Sequence, residues 1–343
     1  MARVTLKPLA SQTVVLTGAT SGIGLATARL LAERGAKLML VARNEAALTA
    51  VRDELRAKGS IAEYAVADVA DPAQVAAAAV KAIETFGGFD TWVNDAGAFV
   101  YGRLDEIPLA DQRRVFDVVY WGVVHGTLAA ARHLKTGGGA IVNVGSVLSE
   151  IAIPFQGPYC AAKFAVKGFT EAFRREVDAA RQPISLSLIK PAAVDTPFME
   201  HARNRIGSPG TRNPPPAYHP HLVARAIAHA CEVSVRDLVV GGASGAALVV
   251  ANRLAPRTMD WIAARSGRFV QTTENPGVEA RRDNLYEPKE DLAERSSLHP
   301  LTRRTSLLLE AQLHPGAAIA AVAGLGAIAI TAMGRGRRGT GRS

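Results

Sequence analysis

The sequence predicts an α/β fold: a doubly wound parallel sheet of seven strands with helices on both faces, followed by a helical and irregular C-terminal extension. Three observations carry this expectation. Short β-branched or aliphatic runs alternate with alanine-rich stretches of helical period. A glycine turn follows the first strand directly. The 343 residues, 48% of them hydrophobic and 21% charged, are enough to bury a full core in one large domain or two small ones.

The elements run in order. TVVLT reads as the first strand, GIGLATARLLAER as a helix, KLMLVA as the second strand and EAALTAVRDELRAKG as the next helix. IAEYAVADV follows as a strand, then a helix over about 72–86, the strand DTWVNDAG, and a long helix over about 109–134. GAIVNVGS, a helix over about 159–180, ISLSLIKP, a helix over about 221–232 and the strand DLVVGG complete the unit. Consecutive parallel strands need helical crossovers, so this alternation yields a sheet covered on both faces, over 1–245. Residues 246–316 read as an extension: two short helical stretches, ALVVANRLA and RTMDWIAARS, then a charged polar segment over 272–306 expected to be a linker or loosely packed. The third part, 317–343, is an apolar Ala/Gly-rich run with a basic tail.

Composition narrows the function classes. Cys160 and Cys231 form no pair at metal or redox spacing, so neither a disulfide framework nor a metal site is expected. The net charge of +9 is scattered through helices and then concentrates in RGRRGTGR, with no nucleic-acid-binding motif near it, so no nucleic acid is expected as partner. MARVTLKPLASQ lacks the apolar stretch of a signal peptide, and a cytoplasmic location is the expectation. The run AAIAAVAGLGAIAITAM, 317–333, is at the lower limit for spanning a bilayer. Membrane contact through 317–343 and packing against protein both stay open.

TGATSGIG places Gly18, Gly22 and Gly24 between a strand and a helix, where backbone N–H groups approach a pyrophosphate at the positive helix end. This is the Rossmann-type arrangement. An acidic residue at the end of the second strand marks NAD, and a nearby arginine accommodates the 2′-phosphate of NADP. Here Ala42 takes the acid position and Arg43 follows, so NADP is preferred to NAD.

In PYCAAKFAVKG, Lys163 follows Tyr159 by four residues, one turn along the same helix face. A phenol near an ammonium is drawn toward a working pKa and suits proton exchange with an alkoxide. Ser146, thirteen residues before Tyr159, is placed to hydrogen-bond a substrate oxygen. Lys167, two turns from Tyr159, reads as a surface lysine.

The glycine spacing, NDAG at 94–97, Ser146 and the Tyr159/Lys163 pair together resemble the short-chain dehydrogenase/reductase family over roughly residues 10–245. That resemblance implies an oxidoreductase acting on a carbonyl or secondary alcohol with Ser146, Tyr159 and Lys163 as the catalytic set. It also implies that Thr17, Gly18, Ser21, Gly22, Ile23 and Gly24 cradle the dinucleotide. Asp68 and Val69 would lie beside the adenine; Asn94, Ala96 and Gly97, together with Pro191, Val194 and Thr196, would complete the site, where Tyr159 and Lys163 also touch the cofactor. Two departures stand out: PAAVDT has Ala192 where the family has glycine, and Val119 stands where many members carry an asparagine that supports a water relay to the lysine. His125, Tyr120 or backbone groups are the alternative routes.

Substrate contacts are expected from VLSEIAIPFQG and from the Pro/Gly-rich 197–220 stretch, read as a lid; Ile151, Ile153 and Phe155 favour a hydrophobic alcohol or ketone or are core packing. A homo-oligomer is the expected assembly. The non-enzyme alternative is an NADP(H)-binding sensor or scaffold with weakened catalysis, for which Val119 and the tail speak.

Overall fold

The computed structural model describes residues 4–275, 283–289, 292–298 and 300–320. Seven strands form one sheet: β1 Thr13–Thr17, β2 Lys37–Ala42, β3 Ala62–Val66, β4 Thr91–Asn94, β5 Gly139–Val144, β6 Ile184–Pro191 and β7 Asp237–Val240. They lie in the order β7-β6-β5-β4-β1-β2-β3, with every neighbouring pair parallel. The expected doubly wound sheet is therefore present.

The strands are apolar because both faces are covered. Along β1, Val14 and Leu16 enter one core while Val15 enters the other; along β2, Leu38 and Leu40 separate from Met39 and Val41 in the same way. This is the period of two expected where side chains alternate across a sheet. Helices α1 Gly22–Glu33, α2 Glu45–Ala57 and, later in the chain, α7 Pro220–Glu232 cover the first face. Helices α3 Pro72–Phe86, α4 Leu109–Phe116, α5 Gly122–Gly137 and α6 Gly157–Ala179 cover the second.

Local chemistry sets several boundaries. Asn44 caps α2 by accepting from the Ala47 N–H at 3.0 Å. Asp71 caps α3 in the same manner, with Pro72 at the helix start and Gly87, in the left-handed region at φ +81°, closing it. The expected long helix over 109–134 is α4 and α5 joined by a π turn, Asp117–Trp121. Val119 lies within that turn and is fully buried.

Because β1 pairs with β2 on one side and β4 on the other, the order in which successive strands are added reverses between β1 and β4, opening a crevice at their carboxyl ends. The glycine turn and the NDAG turn meet there. The expected lid is tied down by short strand pairs: Arg203–Asn204 with Val100–Tyr101, Gly210–Thr211 with Thr272–Thr273, and Ala217–Tyr218 with Thr302–Arg303.

The extension contains α8 Ala243–Leu254, α9 Pro256–Gln271 and α10 Leu307–Leu313, the last contributing Leu309 and Leu313 to the core under α7. Among the described residues, no helix is long and apolar enough to cross a membrane. Most of the apolar run 317–333 lies outside the described residues, and so does the basic tail.

Candidate active site

β5 ends at Val144, and Ser146 caps the single helical turn Val147–Ser149 that follows. Its Oγ accepts from the Leu148 N–H at 3.0 Å, while the Ser149 Oγ accepts from the Ser146 N–H at 3.3 Å. This reciprocal cap holds the Ser146 hydroxyl in one orientation at the mouth of the crevice.

Tyr159 lies in the first turn of α6, with Lys163 one turn on. The Tyr159 ring packs edge-on to Phe99 at 4.8 Å between centroids and tilts against Phe198 at 5.7 Å. Lys163 is buried; its Nζ donates to the Val144 carbonyl at 2.7 Å and lies 5.5 Å from the Tyr159 ring centre. Ser146, Tyr159 and Lys163 are thus brought together at the end of β5. Lys167 turns away and pairs with Glu150 at 2.6 Å.

The electrostatics differ from the expectation that a nearby ammonium pulls the phenol down. Burial raises the Tyr159 phenol well above its ordinary value, although the Ser146 hydroxyl acts in the opposite sense. Lys163 is itself desolvated: burial brings its ammonium down to about 8, opposed by the Asp95 carboxylate. Asp95 in turn is pushed up to about 8 by burial, with Lys163 opposing. Loss of hydration penalises each charged form more than the neighbouring charge repays it. At neutral pH the phenol is therefore protonated and ready to donate.

At the other end of the crevice, the Thr17 Oγ1 donates to the Val93 carbonyl and accepts from the Asp95 N–H at 3.0 Å, tying the two turns together. Gly18 has φ +75°, and a Cβ there would lie 2.9 Å from the Ala96 backbone, so the close approach of the turns requires glycine. Gly97 faces the Phe198 ring, Gly22 lies under the Thr196 side chain, and Ile23 and Gly24 continue the first turn of α1. Ser21 precedes that helix without capping it through its side chain, leaving the amides of the first turn without that partner. This arrangement fits a dinucleotide phosphate.

Asp68 forms an ion pair with Arg114 at 2.5 Å, and the Val69 carbonyl accepts from His125 Nδ1 at 2.9 Å. Pro191 ends β6, and the Val194 carbonyl accepts from Asn213 at 2.7 Å. Arg43 closes on the chain's own extension: it donates to the carbonyls of Asn284 at 2.5 Å and Tyr286 at 2.9 Å.

The Asn94 side chain is engaged behind the crevice. Its Oδ1 accepts from Trp92 Nε1 at 2.8 Å and its Nδ2 donates to Asn143 at 2.9 Å and Thr127 at 3.2 Å. Asn143 passes the chain to Thr170 at 3.0 Å. This buried network joins β4, β5, α5 and α6 behind the crevice. A Cβ at Gly126 would collide with Asn94 Oδ1 and Trp92 Nε1. Gly126→Ala is expected to destabilise the fold by about 1–3 kcal/mol through overpacking, read as a lower midpoint in denaturant unfolding.

Sequence reasoning missed the aromatic wall beside Tyr159. Phe99 and Tyr101 are fully buried there, with Phe155, Phe198 and Met199 packed on them. Gln156 donates to the Tyr101 hydroxyl at 3.1 Å and to Gln271 of α9 at 2.6 Å. The clue was the apolar AFVYG directly after NDAG, which reads equally well as a strand.

A sheet of this order with a glycine turn at its switch point places the chain among dinucleotide-binding α/β enzymes. The match of residues 12–207 to the short chain dehydrogenase family model makes the assignment definite: the chain belongs to the short-chain dehydrogenase/reductase family of oxidoreductases, which bind NAD or NADP. It is 38% identical over 325 residues to "Uncharacterized oxidoreductase YxnA" of Bacillus subtilis, covering 94% of this chain and 91% of that protein. Among solved structures it is similar to an alcohol dehydrogenase from Thermococcus sibiricus complexed with 5-hydroxy-NADP, at 28% identity and TM-score 0.59, covering 67% of this chain and 95% of that one. It is likewise similar to a family member from Burkholderia phymatum in complex with NAD, at 35% identity and TM-score 0.56, covering 57% and 70%.

Proposed function

We propose that this protein is an NADP-preferring oxidoreductase that interconverts the carbonyl and secondary alcohol forms of an apolar substrate. The observation that carries this reading is the convergence of Ser146, Tyr159 and Lys163 beside an aromatic wall at the end of β5.

The nicotinamide, when bound, supplies the hydride to the carbonyl carbon or takes it back. Ser146 donates a hydrogen bond to the substrate oxygen and stabilises the charge that develops there. Tyr159 then gives its hydroxyl proton to that oxygen, and the phenolate left behind is stabilised by the Lys163 ammonium. In the reverse direction the phenolate takes the alcohol proton. Phe99, Phe198 and Met199 shed water from the reacting carbon and favour an apolar substituent.

Cofactor preference rests on Arg43 and on Ala42, which offers no carboxylate to a ribose hydroxyl. A screen of ketones, aldehydes, steroids, retinoids and long-chain alcohols tests the whole reading: NADPH consumption with apolar ketones is expected, ahead of NADH. Arg43→Ala is expected to lower the NADP-over-NAD preference about tenfold or more, the scale of a charge-assisted hydrogen bond. An unchanged ratio would remove Arg43 from that role. Tight NADPH binding without turnover of any compound would replace the enzyme with a nucleotide sensor or scaffold.

A further inference from the structure

The extension does more than pack beside the domain. Asp283 pairs with Arg203 at 2.9 Å, and the Asn284 N–H donates to the His201 carbonyl at 3.0 Å. From there the chain enters the region proposed above for the adenosine half of the dinucleotide. The carbonyls of Asn284 and Tyr286 take the two ends of the Arg43 guanidinium, and the Leu285 carbonyl accepts from Arg114 Nε at 2.9 Å, beside Asp68. The Leu285 side chain is fully buried in the core cluster that contains Val69. Further on, the Ala293 carbonyl accepts from the Gly22 N–H at 2.9 Å, at the start of α1.

These contacts fall on the groups proposed above to hold the nucleotide. Two oxygens sit on the arginine proposed for the 2′-phosphate, one oxygen sits at the helix N-terminus proposed for the pyrophosphate, and an apolar plug lies beside the residues proposed for the adenine. We propose that residues 284–289 and 292–296 form an intramolecular strap that occupies the adenosine-phosphate half of the dinucleotide groove, so that cofactor binding and strap seating exclude one another. This rests on the proposed dinucleotide function.

The strap is held at its far end as well as in the groove. Glu294 pairs with Arg29 at 2.7 Å, Arg295 pairs with the buried Asp195 at 2.7 Å, and Ser296 donates to Glu200 at 2.5 Å. Its anchors are ion pairs and hydrogen bonds around a single plug residue, the composition of a segment that detaches locally without unfolding the sheet. A protein whose binding-competent form is a minority binds its ligand more weakly by that fraction.

Two measurements on the full chain decide this. Calorimetry with NADPH and with 2′,5′-ADP compares the wild type with Glu294→Ala and with Leu285→Ala/Glu294→Ala; both variants are expected to bind both probes more tightly, the double variant about tenfold or more. Amide exchange of the wild type needs no variant: saturating NADPH is expected to speed exchange at Asn284 and Ser296, whose N–H groups are hydrogen-bonded when the strap is seated. Slower exchange with NADPH, or unchanged affinity in folded variants, overturns the strap while leaving the dinucleotide function standing. Failure of every form to bind NADPH, NADH or 2′,5′-ADP overturns both.

Discussion

Tyr159→Phe is expected to lower turnover of every accepted substrate about 10³-fold, within the range for loss of a positioned acid or base. The substitution removes one oxygen and keeps the ring, so the contacts with Phe99 and Phe198 persist and the fold should hold. Steady-state kinetics beside thermal unfolding separate the two effects. A variant that keeps more than a tenth of its activity would place the proton donor elsewhere. Direction matters too. Because burial raises the phenol, carbonyl reduction, which needs the protonated form, is expected to keep its rate near neutral pH. Alcohol oxidation, which needs the phenolate, is expected to climb as pH rises.

Lys163→Met is expected to cost about 10²-fold or more in turnover, because the phenolate loses the buried Lys163 ammonium beside it. The same change leaves Asp95 in the crevice without its opposing charge. Asp95→Asn isolates that coupling. The Asp95 carboxylate holds the Lys163 ammonium above where burial alone would place it. Its removal therefore lowers the pH at which the charge is lost, and the alkaline limb of kcat/KM is expected to move downward from about 8. A limb that stays in place or moves upward would show that Asp95 does not act on the lysine.

Stability carries a linked signature. The folded-state pKa of Lys163, about 8, lies below its ordinary 10.5, so between those values the unfolded chain binds more protons. The lysine's contribution therefore becomes more favourable as pH rises through that window, and its charged form is a cost below it. In the Lys163→Met variant this rise should disappear from unfolding midpoints measured across the window.

The long helix expected over 109–134 shows how a legible element conceals a local decision. Its span follows from apolar spacing, but the π turn at Asp117–Trp121 does not, because widening one turn changes no hydrophobic period enough to read. Val119 lies in that turn, fully buried, and its apolar side chain offers nothing to a relay. Asn94 illustrates the reverse case: its motif marks the crevice, whereas its side chain is spent on Trp92, Thr127 and Asn143 behind it.

Residue order is enough to read the alternation of strands and helices, the glycine turn after β1, and the spacing of Ser146, Tyr159 and Lys163. Each depends on short-range periodicity or on residues at particular offsets, and such information survives without coordinates. Tertiary structure alone decided the desolvation of Tyr159 and Lys163, which depends on everything packed around them. Packing also decides where the described residues of the 272–306 segment lie, although its charge and polarity read as a linker. The contacts that seat that segment on Arg43, Arg114 and Gly22 are made by the main-chain carbonyls of Asn284, Leu285, Tyr286 and Ala293. Every residue carries a carbonyl, so no side-chain pattern could announce where these would bind.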